Sequence, residues 1–200
     1  MMWGMAPFPD LTAPGLFIFG YGSLVSSASV SRTLQRQVDA RHMPLALLHG
    51  YARDWEIRVP IIFDDGIACN GQFLDISPQP DASVNGVLIP VTEQELAMLT
   101  RREAQYDAVE VGDRIQSAVA PAARVIAFRG RAEFRRDTPQ VPSFRPRSYR
   151  SLVETAVRSR GADFLAQFHS LTKPAAVNEY QGGYRFADPA QELAARPPAC

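Results

Sequence analysis

A carboxylate on the apolar side of a predicted helix is the group in this chain best placed for acid–base chemistry. Thr92 and Glu95 form a capping box that predicts a helix over about 93–104. At about 100° per residue, Glu103 lies only about 20° from Leu96 and so faces the side of the leucines. A charged and unpaired carboxylate is costly there. Glu103 must therefore find a donor, titrate at a higher pH or line a cavity.

Two roles for Glu103 are compatible with this placement. It can form a structural ion pair with Arg53, Arg101 or another arginine, or lie at a fraying helix end. It can instead act as a general base, because desolvation raises the pKa of a carboxyl group towards the range that proton transfer near neutral pH requires. The helical wheel leaves both roles open, and it assigns Arg102 to the polar face.

The second candidate is a glycine turn near the start of the chain. The apolar residues 16–19 predict a strand that is buried on both faces, and Gly20 and Gly22 allow backbone conformations that a Cβ would forbid. The small hydroxyl residues Ser23, Ser26 and Ser27 then predict the capped start of a helix whose apolar residues recur every four positions over 30–38. A strand, a tight turn and a helix start aim backbone N–H groups at one spot, which suits a carboxylate, a phosphate or a developing oxyanion.

This turn matches neither of the common phosphate-binding motifs. The run Gly-Tyr-Gly-Ser-Leu-Val lacks the third glycine of the dinucleotide fingerprint, and no Gly-Lys-Ser/Thr follows to make a P-loop. On these residues alone, a glycine turn that merely ends a core strand is an equal alternative.

Composition excludes several classes of partner. The chain has 200 residues, which suits one domain, and its 21 basic and 21 acidic residues give a formal net charge of +0. No global field therefore draws it to nucleic acid or to anionic lipid. No apolar run approaches the roughly 18 residues that a membrane span needs, and the first residues lack a signal peptide's basic region. We expect a cytoplasmic protein with a small-molecule partner and no nucleic-acid or membrane partner.

Metal and disulfide chemistry are not expected either. Cys69 lies in a predicted strand and Cys200 is the last residue, so we predict a small core residue and a tail residue. His42, His49 and His169 have no metal-ligand spacing among themselves or with the cysteines.

The rest of the chain predicts strands, helices and two connecting segments. We predict a loose arm at 1–14, one domain over 15–170 and a draped C-terminal tail at 171–200. For the basic segment 131–147 we predict a solvated connector rather than a loop that touches an acidic ligand. A last helix is predicted to span 148–168, with Gly161 inside it or at a break. Pro60 limits the second predicted strand to an edge or an end, and a loop is predicted at 78–81. The predicted strands are 44–49, 55–59, 67–76, 84–91, 108–111, 116–120 and 124–129.

Several of these segments together resemble a known family. The buried strand that closes in Phe-Gly-Tyr-Gly-Ser-Leu at 19–24 and the Arg102-Glu103 pair followed by Tyr106 look like the γ-glutamylcyclotransferase superfamily, in particular its ChaC-like branch. Weaker matches are the Gly-Tyr-Ala-Arg run at 50–53, the Val-Asn-Gly-Val run at 84–87, and Tyr149. The resemblance covers about 16–170 in scattered blocks.

The chain also differs from the ChaC pattern. Val25-Ser26 replaces an apolar-aromatic pair, Ala52-Arg53-Asp54 replaces paired basic residues, and no Arg-Gly-Thr segment follows. These differences concern the glutathione specificity of ChaC proteins and not the fold, so glutathione stays one of several possible γ-glutamyl substrates.

The resemblance implies an α+β fold, with a mixed, barrel-like β-sheet and packed helices. It also implies an enzyme that cyclises a γ-glutamyl group to 5-oxoproline and releases an amine or amino acid. Glu103 would be the catalytic acid/base, and neither metal nor cofactor would be needed. The substrate-binding residues implied are Gly20, Tyr21, Gly22, Ser23, Leu24, Arg53, Tyr106 and Tyr149.

Other interpretations stay open at this stage. Each tyrosine can equally be a core residue with a satisfied hydroxyl. The same pocket could perform another γ-glutamyl acyl transfer, such as removal of a γ-glutamyl protecting group. A protein of this fold could also bind a small molecule or a partner without catalysis.

Overall fold

The computed structural model describes residues 15–118, 124–136, 140–174 and 178–196. The strands of this part are β1 (Leu16–Gly20), β2 (Leu45–Phe63), β3 (Ala68–Val91), β4 (Tyr106–Glu110), β5 (Ile115–Ser117), β6 (Arg124–Gly130), β7 (Ser143–Pro146), β8 (Glu179–Tyr180) and β9 (Tyr184–Phe186). Its α-helices are α1 (Ser27–Leu34), α2 (Glu93–Arg102), α3 (Arg147–Arg158), α4 (Ala162–Ser170) and α5 (Pro189–Ala195). The predicted arm at 1–14 lies outside these residues.

The described strands form one mixed sheet, in which six follow the order β4-β6-β1-β3-β2-β5. Off this path, β7 pairs with β3 and β8, and β9 pairs with β2. β1 lies inside it, antiparallel to β3 and parallel to β6. Phe17, Ile18 and Phe19 are at most 2% exposed, which confirms a strand buried on both faces. The α+β class and the mixed sheet are as predicted. In the described part of the chain, however, the two end strands of this order, β4 and β5, do not pair with each other, so the sheet is not a closed barrel.

β2 and β3 form one long antiparallel hairpin where the sequence predicted four shorter strands. The turn between them contains Asp64, Asp65 and Gly66, with Gly66 at φ 89°. Pro60 does not end β2, because it pairs with Asn70 and the strand continues to residue 63. The predicted loop at 78–81 is instead an irregularity inside β3, where residues 79–82 have no partner in the register. Cross-strand pairing on both sides of these points carries the strands past their local breaking residues.

The helices follow their local start and stop residues. Ser26 accepts a hydrogen bond from the N–H of Ser29 and caps α1, and the Thr92–Glu95 capping box starts α2. The predicted helix over 148–168 is two helices. Gly161, at φ 108°, separates α3 from α4 because this backbone conformation strongly favours glycine.

The segment 178–196 differs from the predicted draped tail. Its strand β9 pairs with the end of β2, and β8 pairs with β7. Asp188 caps α5, which has Pro189 at its first position and packs against α2. Gln191 of α5 is 3% exposed, so this segment is part of the folded domain.

The basic segment 131–147 is not a wholly solvated connector, because Arg135 reaches two buried carboxylates. Asp54 and Asp75 are 3% and 0% exposed. The Arg135 guanidinium donates to Asp54 Oδ2 at 3.1 Å and also to Asp75 Oδ2. One arginine therefore neutralises charges on both β2 and β3.

Asp75 also fastens β3 to β6. Its Oδ1 accepts hydrogen bonds from the N–H groups of Ile76 and Gly130, both at 2.7 Å. A Cβ at position 130 would lie 2.4 Å from Asp75 Oδ2, so only glycine allows this approach. Burial raises the pKa of Asp75 to about 6, against the lowering effect of Gly130 and Arg135.

Arg135→Met tests the contribution of this cluster to stability. At neutral pH it leaves two buried carboxylates without their cation, so we expect the free energy of unfolding to fall by about 3–5 kcal/mol. Chemical denaturation at pH 7 measures the loss. Arg136→Met is the control, because it removes the same charge from an exposed neighbour.

The loss should depend on pH in a defined direction. The pKa of Asp75 lies above its ordinary 3.8, so the stability that its protonated form supplies is lost as the pH rises through about 6. Without Arg135 the deficit should therefore be smallest near pH 4 and largest above pH 7. Equal stability losses for the two arginine variants, or a deficit independent of pH, would contradict this account.

Candidate active site

A cavity of about 180 Å³ opens between the glycine turn, the end of α2, the start of α3 and the segment 178–196, called the C-terminal segment below. The predicted site residues that line it are Tyr21, Gly22, Ser23, Leu24, Glu103, Tyr106 and Tyr149. Gly20 and Arg53 do not line it. The two sequence motifs, more than 75 residues apart in the chain, therefore meet at one cavity.

The glycine turn is a close reversal that begins at the end of β1. A Cβ on Gly20 would lie 3.0 Å from both Cβ and O of Leu24, so this position serves the turn and not the cavity. The N–H of Val25 donates to Gly22 O at 3.0 Å and closes a 3₁₀ turn over Ser23–Val25. The first N–H groups of such a turn have no acceptor within it.

Position 22 favours glycine because neighbouring atoms approach it closely, and not because its φ is positive. Its φ is −132°. A Cβ there would lie 3.1 Å from the hydroxyl oxygen of Tyr149 and 3.5 Å from Cβ of Leu74. The absence of a side chain at Gly22 thus keeps this wall of the cavity open.

Arg53 holds the turn from behind. It is completely buried, and its Nη1 donates to Asn85 O at 2.7 Å and to Tyr21 O at 3.3 Å. Its Nε donates to Thr172 Oγ1 at 2.7 Å, and its guanidinium lies 3.9 Å from the ring centroid of Phe168. Burial lowers the pKa of Arg53 to about 9, which leaves it charged at neutral pH. The predicted substrate contact of Arg53 is therefore replaced by a positioning role.

Glu103 ends α2 and faces the cavity. Its N–H still donates to Leu99 O at 2.8 Å, but its own backbone has left the helix at φ −91° and ψ 45°. Its side chain is 15% exposed and lies 3.0 Å from Nε of Arg102. Burial raises the pKa of Glu103, and the charge of Arg102 lowers it less. The carboxylate thus has an arginine partner and also lines a cavity.

Arg102 is the site residue that the helical wheel misplaced. It is 8% exposed and not on a polar face. Its Nη2 donates to Ser23 Oγ at 2.9 Å and to Ser29 Oγ at 3.0 Å, and its Nη1 donates to Thr33 Oγ1 at 2.9 Å. These bonds join α2 to the glycine turn and to α1. Its place beside Glu103 in the Arg-Glu motif was the available sequence signal.

Three tyrosines form the inner part of the cavity. The hydroxyl of Tyr21 donates to the carbonyl of Phe128, and that of Tyr106 to Leu74 O at 2.9 Å. The ring of Tyr149 packs edge-on against Phe73, with 4.7 Å between centroids. Burial raises the pKa of all three hydroxyls well above the ordinary tyrosine value, so they are neutral. They act here as apolar rings that carry neutral hydroxyl groups.

The C-terminal segment supplies a wall that sequence reasoning missed. Tyr184, Phe186, Gln191 and Arg196 all line the cavity. Arg196 lies 4.9 Å from the ring centroid of Tyr184 and donates to its carbonyl. The alternation of Tyr184 and Phe186 around Arg185, followed by an Asp-Pro helix start, was the local signal for ordered structure here.

The described residues contain no group of three or more His, Cys, Asp and Glu side chains that could hold a metal ion. Their helices also include none with the length and hydropathy of a membrane span. Cys69 is a buried free thiol, and burial raises its pKa to about 11. Cys200 lies outside the described residues.

Comparison with solved structures identifies the fold. A γ-glutamyl cyclotransferase is similar with a TM-score of 0.54 and 13% identity, over 90% of this chain and 97% of that one. A yeast γ-glutamyl cyclotransferase specific to glutathione has a TM-score of 0.51 and 14% identity, over 82% and 100%. An uncharacterised human protein gives 0.51 and 13%, over 89% and 96%.

No protein-family model and no curated protein sequence matches the chain. The structural likeness is therefore the finding that classifies it: the chain has the γ-glutamylcyclotransferase-like fold.

Gly22→Val tests the turn as a binding site. A branched side chain would meet Tyr149 and Leu74, so we expect a folded protein whose unfolding free energy is lower by about 1–3 kcal/mol. Because the side chain also fills the cavity, affinity for 5-oxoproline, the product that the sequence resemblance implies, should be lost. Thermal unfolding and titration calorimetry measure the two effects. A folded variant that binds as tightly as the wild type would count against the turn.

Proposed function

We propose that this protein is a γ-glutamylcyclotransferase that cyclises a γ-glutamyl group to 5-oxoproline and releases an amine or amino acid. The observation that carries the proposal is the placement of Glu103. A largely buried carboxyl group, with its pKa raised by burial, lines the same cavity as the glycine turn. This combination suits a reaction that needs one proton carrier and a fixed, polar substrate.

In the proposed reaction the α-amine of the substrate attacks its own γ-carbonyl carbon. A new C–N bond closes the five-membered ring, and the bond from that carbon to the leaving nitrogen breaks. Glu103 takes a proton from the attacking amine and gives it to the leaving nitrogen. Its carboxylate is therefore unprotonated again at the end of the cycle. A carboxyl group with a pKa nearer neutrality than that of free glutamate can perform both transfers.

The cavity walls support the remaining needs of the reaction. Both reacting groups belong to one molecule, so holding that molecule folded supplies much of the rate through orientation. In our proposal, the N–H groups of the turn at Gly22–Leu24 hold the substrate carboxylate or its carbonyl oxygen. The rings of Tyr21, Tyr106 and Tyr149 exclude water from the reacting atoms. Every step uses protein groups alone.

The charges at the cavity favour a leaving group that carries a carboxylate. The charged residues that line it are Arg32, Arg102, Glu103 and Arg196. Arg102 is paired with Glu103, and Arg196 with Glu192. Arg32 is exposed, and it forms no ion pair within the described ranges. γ-Glutamyl amino acids and peptides are therefore better candidates than γ-glutamyl amines.

Glu103→Gln tests the proton carrier. It keeps the size of the side chain and removes the titrating proton, so turnover should fall by at least about 10²-fold while 5-oxoproline still binds. Wild-type kcat/KM should rise with pH up to a pKa above the ordinary 4.5 of glutamate, because the carboxylate is the active form. That acidic limb should be absent from the variant's residual rate. Coupled detection of 5-oxoproline measures turnover and its dependence on pH.

Glu93→Gln is the matched control, since Glu93 is exposed on the same helix and does not line the cavity. It should keep wild-type turnover. If Glu103 were only a structural partner of Arg102, its variant would lose stability while activity per folded molecule changed little. A stable Glu103→Gln protein with near-normal 5-oxoproline release would refute the mechanism.

Arg32→Gln tests the leaving-group preference. An exposed charge contact is worth up to about 1 kcal/mol, so KM for γ-glutamylalanine should rise about two- to fivefold. KM for a γ-glutamyl amine should not rise, and the difference should shrink at high salt. Arg101→Gln is the control, because Arg101 is exposed on α2 outside the cavity. Equal effects on the two substrates would contradict the preference.

A product screen tests the proposal as a whole. The protein is incubated with γ-glutamyl amino acids, γ-glutamyl amines and glutathione, and 5-oxoproline is measured. Release of glutamate without 5-oxoproline would instead indicate another γ-glutamyl acyl transfer, such as removal of a protecting group. Binding without any product would indicate a non-catalytic protein of the same fold.

A further inference from the structure

The C-terminal wall of the cavity is attached to α2 beside the proposed catalytic carboxyl group. α5 packs against α2 and places Gln191 in the cavity lining. Gln191 is 3% exposed and its partner Gln105 is 7% exposed. Two amide side chains buried this deeply must satisfy each other or neighbouring backbone groups.

The two amides form a reciprocal pair next to the end of α2. Gln105 Nε2 donates to Gln191 Oε1 at 2.8 Å, and Gln191 Nε2 donates back to Gln105 Oε1. Gln191 Nε2 also lies 3.4 Å from the carbonyl oxygen of Arg102, in the last turn of α2, whose terminal carbonyls lack helical partners. Gln191 therefore contacts the residue directly before Glu103 and the residue two positions after it.

The other polar contacts of α5 do not reach α2. Asp188 caps α5 through the N–H of Ala190. Glu192 accepts from the N–H of Phe186 at 2.8 Å and pairs with Arg196, which fixes β9 to α5 within the segment. Within the described ranges, Gln191 is thus the polar link between α5 and the end of α2.

We propose that Gln191 is a positioning residue that seats the C-terminal wall over Glu103 and fixes the end of α2 on which this carboxyl group stands. This inference rests on the proposed function of Glu103. It assigns to residues 184–196 a part in the reaction, through the water that they exclude and the backbone that they hold, although none of them exchanges a proton with the substrate.

The surroundings of Glu103 give this role an electrostatic consequence. The charged and titratable groups that face it are Arg102 on its own helix and the neutral hydroxyls of Tyr21, Tyr106, Tyr149 and Tyr184. Burial is the main cause that raises the pKa of Glu103. Loosening α5 would admit water, so the pKa should move down towards its ordinary 4.5.

Gln191→Met tests the proposal, because methionine keeps the length and bulk of the side chain and removes all three hydrogen bonds of the amide. We expect kcat to fall about tenfold or more, as a misplaced catalytic group predicts, with a smaller change in KM. The acidic limb of the pH–rate profile should move to lower pH. Gln94→Met, the same change at an exposed position of α2, should leave both unchanged.

The double variant Gln105→Met/Gln191→Met separates positioning from stability. It removes the amide that the single change leaves unpaired, so it should fold even if Gln191→Met does not. Positioning predicts that kcat stays low and the limb stays shifted in the double variant, because the bond to the Arg102 carbonyl is still missing. If the double variant regains the wild-type kcat and pH profile together with its stability, Gln191 is only a packing residue and the proposal is overturned.

A readout independent of turnover keeps this test separate from the proposed function. In protein labelled with ¹³C at glutamate carboxyls, the Glu103 resonance is identified by its loss in Glu103→Gln. Its titration should move to lower pH in the Gln191 variants, whether or not the wild type releases 5-oxoproline. A wild type without turnover would refute the cyclotransferase function alone. An unchanged Glu103 titration would overturn the role of Gln191 alone.

Discussion

The pairing of Arg102 with Glu103 is the interaction on which the arrangement of the site depends. A carboxylate that is largely removed from water is stabilised by a nearby cation, and a buried guanidinium needs acceptors for its remaining donors. Ser23, Ser29 and Thr33 supply those acceptors from the glycine turn and from α1. One ion pair therefore fixes three segments relative to each other, and the cavity lies where they meet.

Other buried charges hold the scaffold behind the cavity. Arg53 joins the carbonyl oxygens of Tyr21 and Phe168, so it connects the turn to α4. Asp75 joins β3 to β6, and Arg135 balances its charge and that of Asp54. Such groups add little net stability when satisfied, but losing one partner is expensive. They therefore penalise alternative arrangements of the strands more than they strengthen the native one.

The cavity is completed by residues far from either motif. The turn and the end of α2 bring the reacting groups of the proposal together, whereas Tyr184, Phe186 and Arg196 of the C-terminal segment shape the remaining wall. Structures that share this fold are at most 14% identical to the chain among those compared above. The wall, together with Arg32, is where we expect the choice of leaving group to be made.

The sequence by itself determined the features that depend on near neighbours in the chain. These are the buried strand β1, the glycine turn, the serine cap of α1, the capping box of α2 and the inward direction of Glu103, each set by spacing over a few residues. Tertiary structure decided the rest. Arg102 is buried because Ser23, Ser29 and Thr33 happen to surround it, and Arg53 faces backbone carbonyls because β2 runs behind the turn. β2 and β3 cross their proline and glycine positions because pairing on both sides outweighs local preference. The segment 178–196 is ordered because β9 pairs with the edge of β2 and Gln191 hydrogen-bonds to Gln105. These partners are distant in sequence, so no local pattern predicts them.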